Sequence, residues 1–190
     1  MRRKVIVLGK AFCQLTDKQE RFYEHFGKWL AEENFDVITG ACPGVAYSIG
    51  KKILKEGGRV FGYSPARCLT DHKKVYHFPT AGCSSILYEE KKLAFNEAYF
   101  HRSVRMFFDN KSSVVVSFGG GRGTFSELCL AFFMSRTIVL PTFTGGATAA
   151  FFYFSKLFKL FKLNYNSDII RVKSPAELSH VLLSLYRDAS

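Results

Sequence analysis

Residues 113–128 read SVVVSFGGGRGTFSEL, and this stretch decides the fold. Three consecutive valines within the apolar run 113–118 predict a buried β-strand. The glycines that follow predict a tight loop, and residues 123–135 have the pattern of a helix. A strand that passes through a glycine-rich turn directly into a helix is typical of an α/β protein with a parallel sheet.

The same alternation of strand and helix extends along the rest of the chain. Strands are predicted at residues 4–9, 35–39, 59–63, 113–118, 137–140 and 168–172, with a further short strand at 85–88. Helices are predicted at 17–33, 45–55, 90–108, 123–135, 145–163 and 174–186, and residues 64–84 are predicted to form a long loop. Continuous apolar strands separated by helices favour a Rossmann-like α/β fold, with a mostly parallel sheet covered on both faces. Residues 1–190 are expected to form a single domain.

Charge and cysteine usage limit the classes of partner. Lys and Arg number 27 against 16 Asp and Glu, but these basic residues are dispersed, so charge alone does not favour nucleic acid as the partner. The five cysteines include no CxxC spacing, which indicates neither a disulfide framework nor a zinc site. Without an apolar leader or a run of 18 apolar residues, the chain is expected to be cytoplasmic and to have no membrane span.

Three glycine-rich loops follow predicted strands at the edge of the sheet where such folds bind ligands. Each loop precedes a helix, and helix N-termini bind phosphate through unpaired N–H groups. None has the GxGxxG spacing after the first strand, which argues against an NAD enzyme. We therefore expect a nucleotide-type small molecule, and no separate cofactor or metal. Its phosphate is expected to contact residues of these loops: Gly40, Gly44, Gly119, Gly120, Gly121, Arg122, Gly123, Thr124, Gly145 and Gly146.

Several other residues allow two interpretations each. Glu127 is expected in the first turn of its helix, where it either caps the helix or contacts the sugar of a nucleotide, and position alone favours the cap. His72, His77 and His101 could bind a metal, but they do not have the spacing of metal ligands on one helix face, so they are expected to be surface or lid residues. Cys42 has no identifiable basic partner, which favours a buried thiol over a nucleophile. The aromatic face of the helix at 145–163 is expected to pack in the core or in a dimer, with a membrane-surface helix as the alternative.

The residues also resemble a known family. Residues 120–127, GGRGTFSE, resemble the GGxGTxxE signature of the LOG-like proteins, which were once described as lysine decarboxylases. Residues 37–44, 57–58 and 60–66 (VITGACPG, GG and VFGYSPA) resemble further motifs of this family in the same order. Arg102 with Met106 is similar to its R-x-x-x-M segment. The best-known members are nucleoside 5′-monophosphate phosphoribohydrolases, and relatives include molybdenum-cofactor carriers.

The resemblance implies that Arg102 and Glu127 are the catalytic pair. A carboxylate can stabilise the positive charge that develops on ribose when an N-glycosidic bond breaks, and an arginine can hold phosphate or ribose hydroxyls. The sequence departs from the hydrolases at Gly119, Ser103 and Arg105, where many members have Pro, Lys and Glu. Three hypotheses therefore stay open: a phosphoribohydrolase, a nucleotide or molybdenum-cofactor carrier or sensor, and a nucleic-acid-binding module. The resemblance and the aromatic content of 16% also imply a homodimer.

Overall fold

A computed structural model of the protein describes residues 2–160 and 166–187. Within these residues, seven strands and seven α-helices alternate along the chain. The strands are β1 (Arg3–Gly9), β2 (Phe35–Thr39), β3 (Arg59–Tyr63), β4 (Ser85–Leu87), β5 (Val114–Phe118), β6 (Ile138–Pro141) and β7 (Ile169–Val172). The helices are α1 (Asp17–Glu32), α2 (Val45–Lys55), α3 (Leu69–Lys74), α4 (Phe95–Asp109), α5 (Arg122–Phe133), α6 (Gly146–Leu160) and α7 (Pro175–Arg187). A short 3₁₀ turn, Thr142–Thr144, precedes α6.

All seven strands lie parallel in one sheet, in the order β4-β3-β2-β1-β5-β6-β7. The prediction of a Rossmann-like α/β fold is thereby confirmed. Strand order runs outward in one direction from β1 to β4 and in the other from β5 to β7, so β1 and β5 are neighbours at the point of reversal. Folds of this kind bind ligands beyond the carboxyl ends of the strands at that point.

The sheet is covered on both faces, which explains why its central strands are apolar throughout. On one face α1, α2 and α7 pack against the sheet through residues such as Phe26, Ile49 and Leu178. On the other face α4, α5 and α6 pack through Met106, Leu128 and Phe151. Every residue of β5 is buried, as its continuous apolar run predicts.

The aromatic face of α6 belongs to the core on this second side. Phe151 is fully buried, and the Phe158 ring stacks on Phe132 with 4.9 Å between ring centroids. The interpretation of this helix as a core element is therefore confirmed for its described part. Its predicted extension to residue 163 lies outside the described residues.

The segment 64–84 differs from its prediction as a plain loop, because it contains the short helix α3. His72, on this helix, was predicted to be a surface or lid residue, and this was wrong: its side chain is fully buried. The ring accepts from the Ser64 hydroxyl at Nδ1 (2.8 Å), and Nε2 lies 3.4 Å from the carbonyl oxygen of Pro79. The buried His72 ring thus anchors α3 through its hydrogen bonds. This six-residue helix was not predicted because it has too few apolar residues to show helical periodicity.

The start of α4 also differs from the prediction at residue 90, since the helix begins at Phe95. The Glu97 carboxylate accepts a hydrogen bond from the backbone N–H of Ala94 (3.1 Å), which ends the preceding extended segment there. At the start of α1, Thr16 and Gln19 form the corresponding capping pair.

Candidate functional site

The glycine loops meet at the carboxyl edge of the sheet, as predicted. The backbone N–H of Lys10, just after β1, donates to the carbonyl of Phe118 at the end of β5 (3.2 Å). Val45 N–H at the start of α2 donates to the carbonyl of Lys10 (3.0 Å). The carbonyl of Gly120 in turn accepts from Ala147 at the start of α6 (3.0 Å). Backbone hydrogen bonds therefore join the loops after β1, β2, β5 and β6 into one structure.

The loop between β5 and α5 has a conformation that requires glycine. Gly119 and Gly120 have φ values of +60° and +87°, in the left-handed region. A Cβ atom on Gly120 would lie 2.2 Å from Oγ1 of Thr124. The Thr124 hydroxyl is buried beneath Gly120 and donates to the carbonyl of Gly9 (3.2 Å). Its proton therefore stabilises the loop and is not directed at a ligand.

The N-terminus of α5 is the exposed part of this loop. Gly121 precedes the helix and supplies no side-chain cap, and Gly121, Arg122 and Gly123 are all exposed. The first amides of a helix have no intrahelical acceptor, so they remain available to an anion here. The cationic side chain of Arg122 lies in the same first turn.

Gly145 and Gly146 lie beside this loop at the start of α6. The amides of Ala147 and Thr148, which follow them, donate to the carbonyls of Gly120 and Gly119 at 3.0 Å each. A Cβ atom on Gly146 would lie 2.6 Å from the carbonyl oxygen of Gly120. The amides of Ala147 and Thr148 are thus bonded to backbone carbonyls, and α6 braces the β5–α5 loop.

Gly40 and Gly44, in the loop after β2, also make close contacts with the protein itself. A Cβ atom on Gly44 (φ +92°) would lie 2.3 Å from the carbonyl oxygen of Lys10. A Cβ atom on Gly40 would lie 2.6 Å from Nη1 of Arg102. Glycine at position 44 lets the loop after β1 approach closely, and glycine at position 40 does the same for the Arg102 side chain.

Arg102 on α4 and Glu127 on α5 form an ion pair, in which Nη2 of Arg102 donates to Oε1 of Glu127. Arg102 is only 6% exposed, and its Nη1 donates to the carbonyl of Gly40 (3.2 Å). The hydroxyl of Ser103 lies 3.1 Å from both Arg102 Nη2 and Glu127 Oε1. The structure thus brings together the two residues that the sequence singled out, and adds Ser103 between them.

The expectation that Glu127 lies in the first turn of its helix was wrong. Glu127 is the sixth residue of α5, and no acidic residue lies in the first turn. Its carboxylate therefore does not cap the helix, and its hydrogen bonds go to α4 instead.

A cavity of about 360 Å³ opens beside this ion pair. Gly9, Gly40, Gly123 and Thr124 contribute to its wall from three of the loops. Arg102 and Glu127 are the only charged side chains among the described residues that line it. The rest of the wall is largely apolar and includes four aromatic residues that the sequence analysis did not select: Phe12, Phe78, Tyr99 and Phe100.

Cys42 and His101, two further candidates from the sequence, lie in different environments. Cys42 lines the cavity, but burial raises the pKa of its thiol to about 11, so it is protonated and a weak nucleophile near neutral pH. His101 pairs through Nδ1 with Oε2 of the buried Glu89 (2.7 Å). Among residues 2–160 and 166–187, no three His, Cys, Asp or Glu side chains are grouped as metal ligands would be. No helix in the same ranges is long and apolar enough to cross a bilayer.

Comparison with known proteins identifies similar sequences and folds. The model of the SLOG cluster4 family matches residues 2–179. Among solved structures, the structural genomics target TM1055 aligns with a TM-score of 0.72 at 19% identity, covering 96% of this chain and 99% of that one. No curated protein matches the sequence.

Two further solved structures carry functional descriptions of their own. The molybdenum cofactor carrier protein from Chlamydomonas reinhardtii aligns with a TM-score of 0.68 at 18% identity, covering 98% of this chain and 99% of that one. DNA processing protein A from Helicobacter pylori, described as binding single-stranded DNA, aligns with a TM-score of 0.68 at 16% identity, covering 96% of this chain and 81% of that one. At these identities the likeness extends to the fold alone.

Proposed function

We propose that this chain, which belongs to the SLOG cluster4 family, hydrolyses the N-glycosidic bond of a nucleoside 5′-monophosphate to free base and ribose 5-phosphate. The family match confirms the resemblance to LOG-like proteins that the motifs indicate. The observation that carries the proposal is the position of Glu127, a carboxylate on the wall of a largely apolar cavity, fixed by Arg102 and Ser103.

In this proposal the N-terminus of α5 binds the phosphate. The amides from Gly121 to Thr124 are the anion site, and Arg122 adds positive charge. Gly123 and Thr124 line the same cavity as Glu127, so a phosphate at the helix N-terminus leaves the ribose within reach of the carboxylate. Gly40, Gly44, Gly119, Gly120 and Gly146, which the sequence also assigns to phosphate binding, support this loop and the ion pair through the contacts described above.

Glu127 would act on the ribose. Cleavage of the bond between C1′ and the base nitrogen develops positive charge on the sugar, which a nearby carboxylate stabilises. The oxygen of a water molecule forms the new bond to C1′, the base leaves with the electrons of the old bond, and a water proton neutralises it. Glu127 is also suited to orient that water as a general base. Oε1 is occupied by Arg102 and Ser103, which leaves Oε2 for these tasks.

The role of Arg102 differs from the one that the family resemblance implies. The guanidinium is buried and donates to Gly40, Ser103 and Glu127. We therefore assign Arg102 to holding Glu127 in place, rather than to holding the phosphate. The direct test is to incubate the purified protein with nucleoside 5′-monophosphates and measure free base. The proposal requires base release from at least one of them.

A carrier or sensor of a nucleotide or of the molybdenum cofactor is the second candidate, favoured by one observation. A shallow groove of about 380 Å³, lined by Leu93, Glu97 and His101, shares Asn96 and Phe100 with the cavity. A ligand that occupies both would be larger than one confined to the cavity. Tight binding of such a ligand without base release from any monophosphate would favour this candidate.

We further propose a homodimer in a reducing compartment such as the cytoplasm. Apolar side chains remain exposed on α5 and α6, among them Phe133, Tyr153 and Leu157. Exposed apolar patches on a protein surface often mark partner contacts. The five cysteines are all free thiols, which suits a reducing environment.

A further inference from the structure

The aromatic part of the cavity wall comes from three separate segments of the chain. Phe12 lies in the loop after β1, Phe78 follows α3, and Tyr99 and Phe100 lie on α4. The Phe12 and Phe78 ring centroids are 5.7 Å apart, and those of Phe78 and Tyr99 are 6.3 Å apart. The three rings therefore form one packed cluster, which we call the aromatic wall together with Phe100.

This wall adjoins the ion pair of Arg102 and Glu127. The guanidinium carbon of Arg102 lies 5.4 Å from the centroid of the Tyr99 ring, and Arg102 contacts Glu127. A nucleotide whose C1′ atom is close to Glu127 carries its base one bond away from that atom. The base would therefore lie against the aromatic wall.

Two rings of the wall are more exposed than a core role would explain. Phe12 and Phe100 are each 65% exposed at the cavity, whereas Phe78 is 2% exposed. Phe12 also has a φ of +50°, a conformation that costs about 1–3 kcal/mol for a residue other than glycine. Strained and exposed aromatic residues at a cavity are typical of ligand contacts.

The polar groups of the wall are few. Asn96, exposed and one helical turn before Tyr99, offers a carboxamide that can both donate and accept. Every nucleobase has a flat π-face, so stacking on aromatic rings tolerates changes at the hydrogen-bonding edge of the base. A wall with many rings and little polarity is expected to discriminate by ring size.

We propose that Phe12, Tyr99 and Phe100, packed against the buried Phe78, form the base subsite, in which a planar heteroaromatic base is recognised by stacking, with Phe12 and Phe100 as its specificity-determining residues. This rests on the proposed nucleotide-binding function. Adenine and guanine nucleotides bind with similar affinity, and both bind more tightly than uracil nucleotides, because a bicyclic ring covers more of the wall.

The test measures binding by calorimetry with the full chain in a Glu127→Gln background, which prevents turnover. The ligands are adenosine, guanosine and uridine 5′-monophosphates and ribose 5-phosphate, which lacks a base. Phe12→Ala and Phe100→Ala should each lower the affinity for purine nucleotides about 10-fold and leave the affinity for ribose 5-phosphate unchanged. Phe108→Ala is the matched control, since Phe108 is exposed on the same helix but does not line the cavity.

The outcomes separate this proposal from the function on which it rests. If ribose 5-phosphate binds as tightly as the nucleotides, the phosphate site stands and the base subsite is refuted. Equal weakening of both ligand classes by Phe12→Ala and Phe100→Ala would also refute it, since the rings would then only support the fold. If no phosphate compound binds at all, the proposed function fails and the subsite fails with it.

Discussion

Arg102 and Glu127 meet across two helices, and the carboxylate oxygen that accepts from the arginine also accepts from the Ser103 hydroxyl. Both bonds involve Oε1, and the described residues offer no hydrogen-bond partner to Oε2. One oxygen therefore anchors the side chain while the other is available to a ligand. The proposed catalytic role of Glu127 rests on this division between the two oxygens.

The ion pair predicts a specific pattern of stability. Arg102→Met leaves the carboxylate of Glu127 without its partner in a poorly hydrated site, and should lower the free energy of unfolding by about 3 kcal/mol. In a Glu127→Gln background the same substitution leaves no uncompensated charge, and should cost only about 1 kcal/mol. Urea denaturation of the wild type, the two single variants and the double variant measures the difference. Equal losses in the two backgrounds would contradict a coupled pair.

The N-terminus of α5 can be tested with a substitution that separates binding from folding. A Cβ atom at Gly121 meets no atom within 4 Å, so a side chain fits there. Gly121→Asp places a carboxylate at the N-cap, which should keep or slightly raise stability while it repels a phosphate from the same amides. Calorimetry should show nucleotide affinity reduced by about 10-fold or more.

Gly121→Asn is the matched control for that experiment. The asparagine caps the helix equally well but carries no charge, so it should weaken nucleotide binding less than the aspartate does. If Gly121→Asp binds the nucleotide as tightly as the wild type, the phosphate does not bind at this helix N-terminus.

His72 predicts a pH dependence of stability. Burial lowers the pKa of its imidazole below the usual 6.5, so the folded protein keeps the ring neutral over a range in which the unfolded chain binds a proton. The stability that the neutral ring contributes is complete above about pH 6.5 and is lost as pH falls toward the lower folded pKa.

The variant His72→Gln isolates this contribution from other titrating groups. Glutamine retains hydrogen-bonding capacity but does not titrate, so it should be less stable than the wild type at pH 7.5. The difference in denaturation midpoint should shrink at pH 5.5. A difference that is the same at both pH values would show that His72 does not titrate in this range.

Assembly is tested by sedimentation equilibrium at micromolar concentration. A homodimer should give twice the chain mass of 21.5 kDa. A single species at 21.5 kDa would contradict the dimer, and would leave the cavity, which is formed within one chain, as the whole site.

Sequence patterns predicted the sheet and the meeting of the glycine loops at its carboxyl edge, because both depend on local regularities. The valine run of β5 and the glycines after it fix a strand, a turn and a helix start over adjacent residues. Sequence patterns could not show which glycines are open to a ligand and which pack against the protein itself. Gly121 is open to solvent, whereas Gly40 and Gly146 are required by Arg102 and by the Gly120 carbonyl, atoms that come from distant segments.

The aromatic wall and the environment of Glu127 could not be predicted from the sequence either, because both are formed by residues from distant segments. Phe12, Phe78 and Tyr99 become neighbours only through the tertiary fold, and none belongs to a periodic pattern that marks it. Glu127 was predicted in a first turn because several consecutive glycines precede α5, and the sequence does not show at which of these residues the helix begins. Ser103 stood out in the sequence because it departs from the family pattern next to Arg102. Its hydrogen bond to Glu127 could not be predicted, because the bond forms only where α4 and α5 pack together.

The most direct test of the proposed activity compares base release by the wild type and by Glu127→Gln. The substitution preserves size and the bonds from Arg102 and Ser103 but removes the negative charge, so it should lower turnover by about two orders of magnitude or more and leave KM nearly unchanged. Free base measured by chromatography after incubation with nucleoside 5′-monophosphates gives both constants. Full activity of Glu127→Gln, or no release of base by the wild type from any monophosphate, would contradict the account.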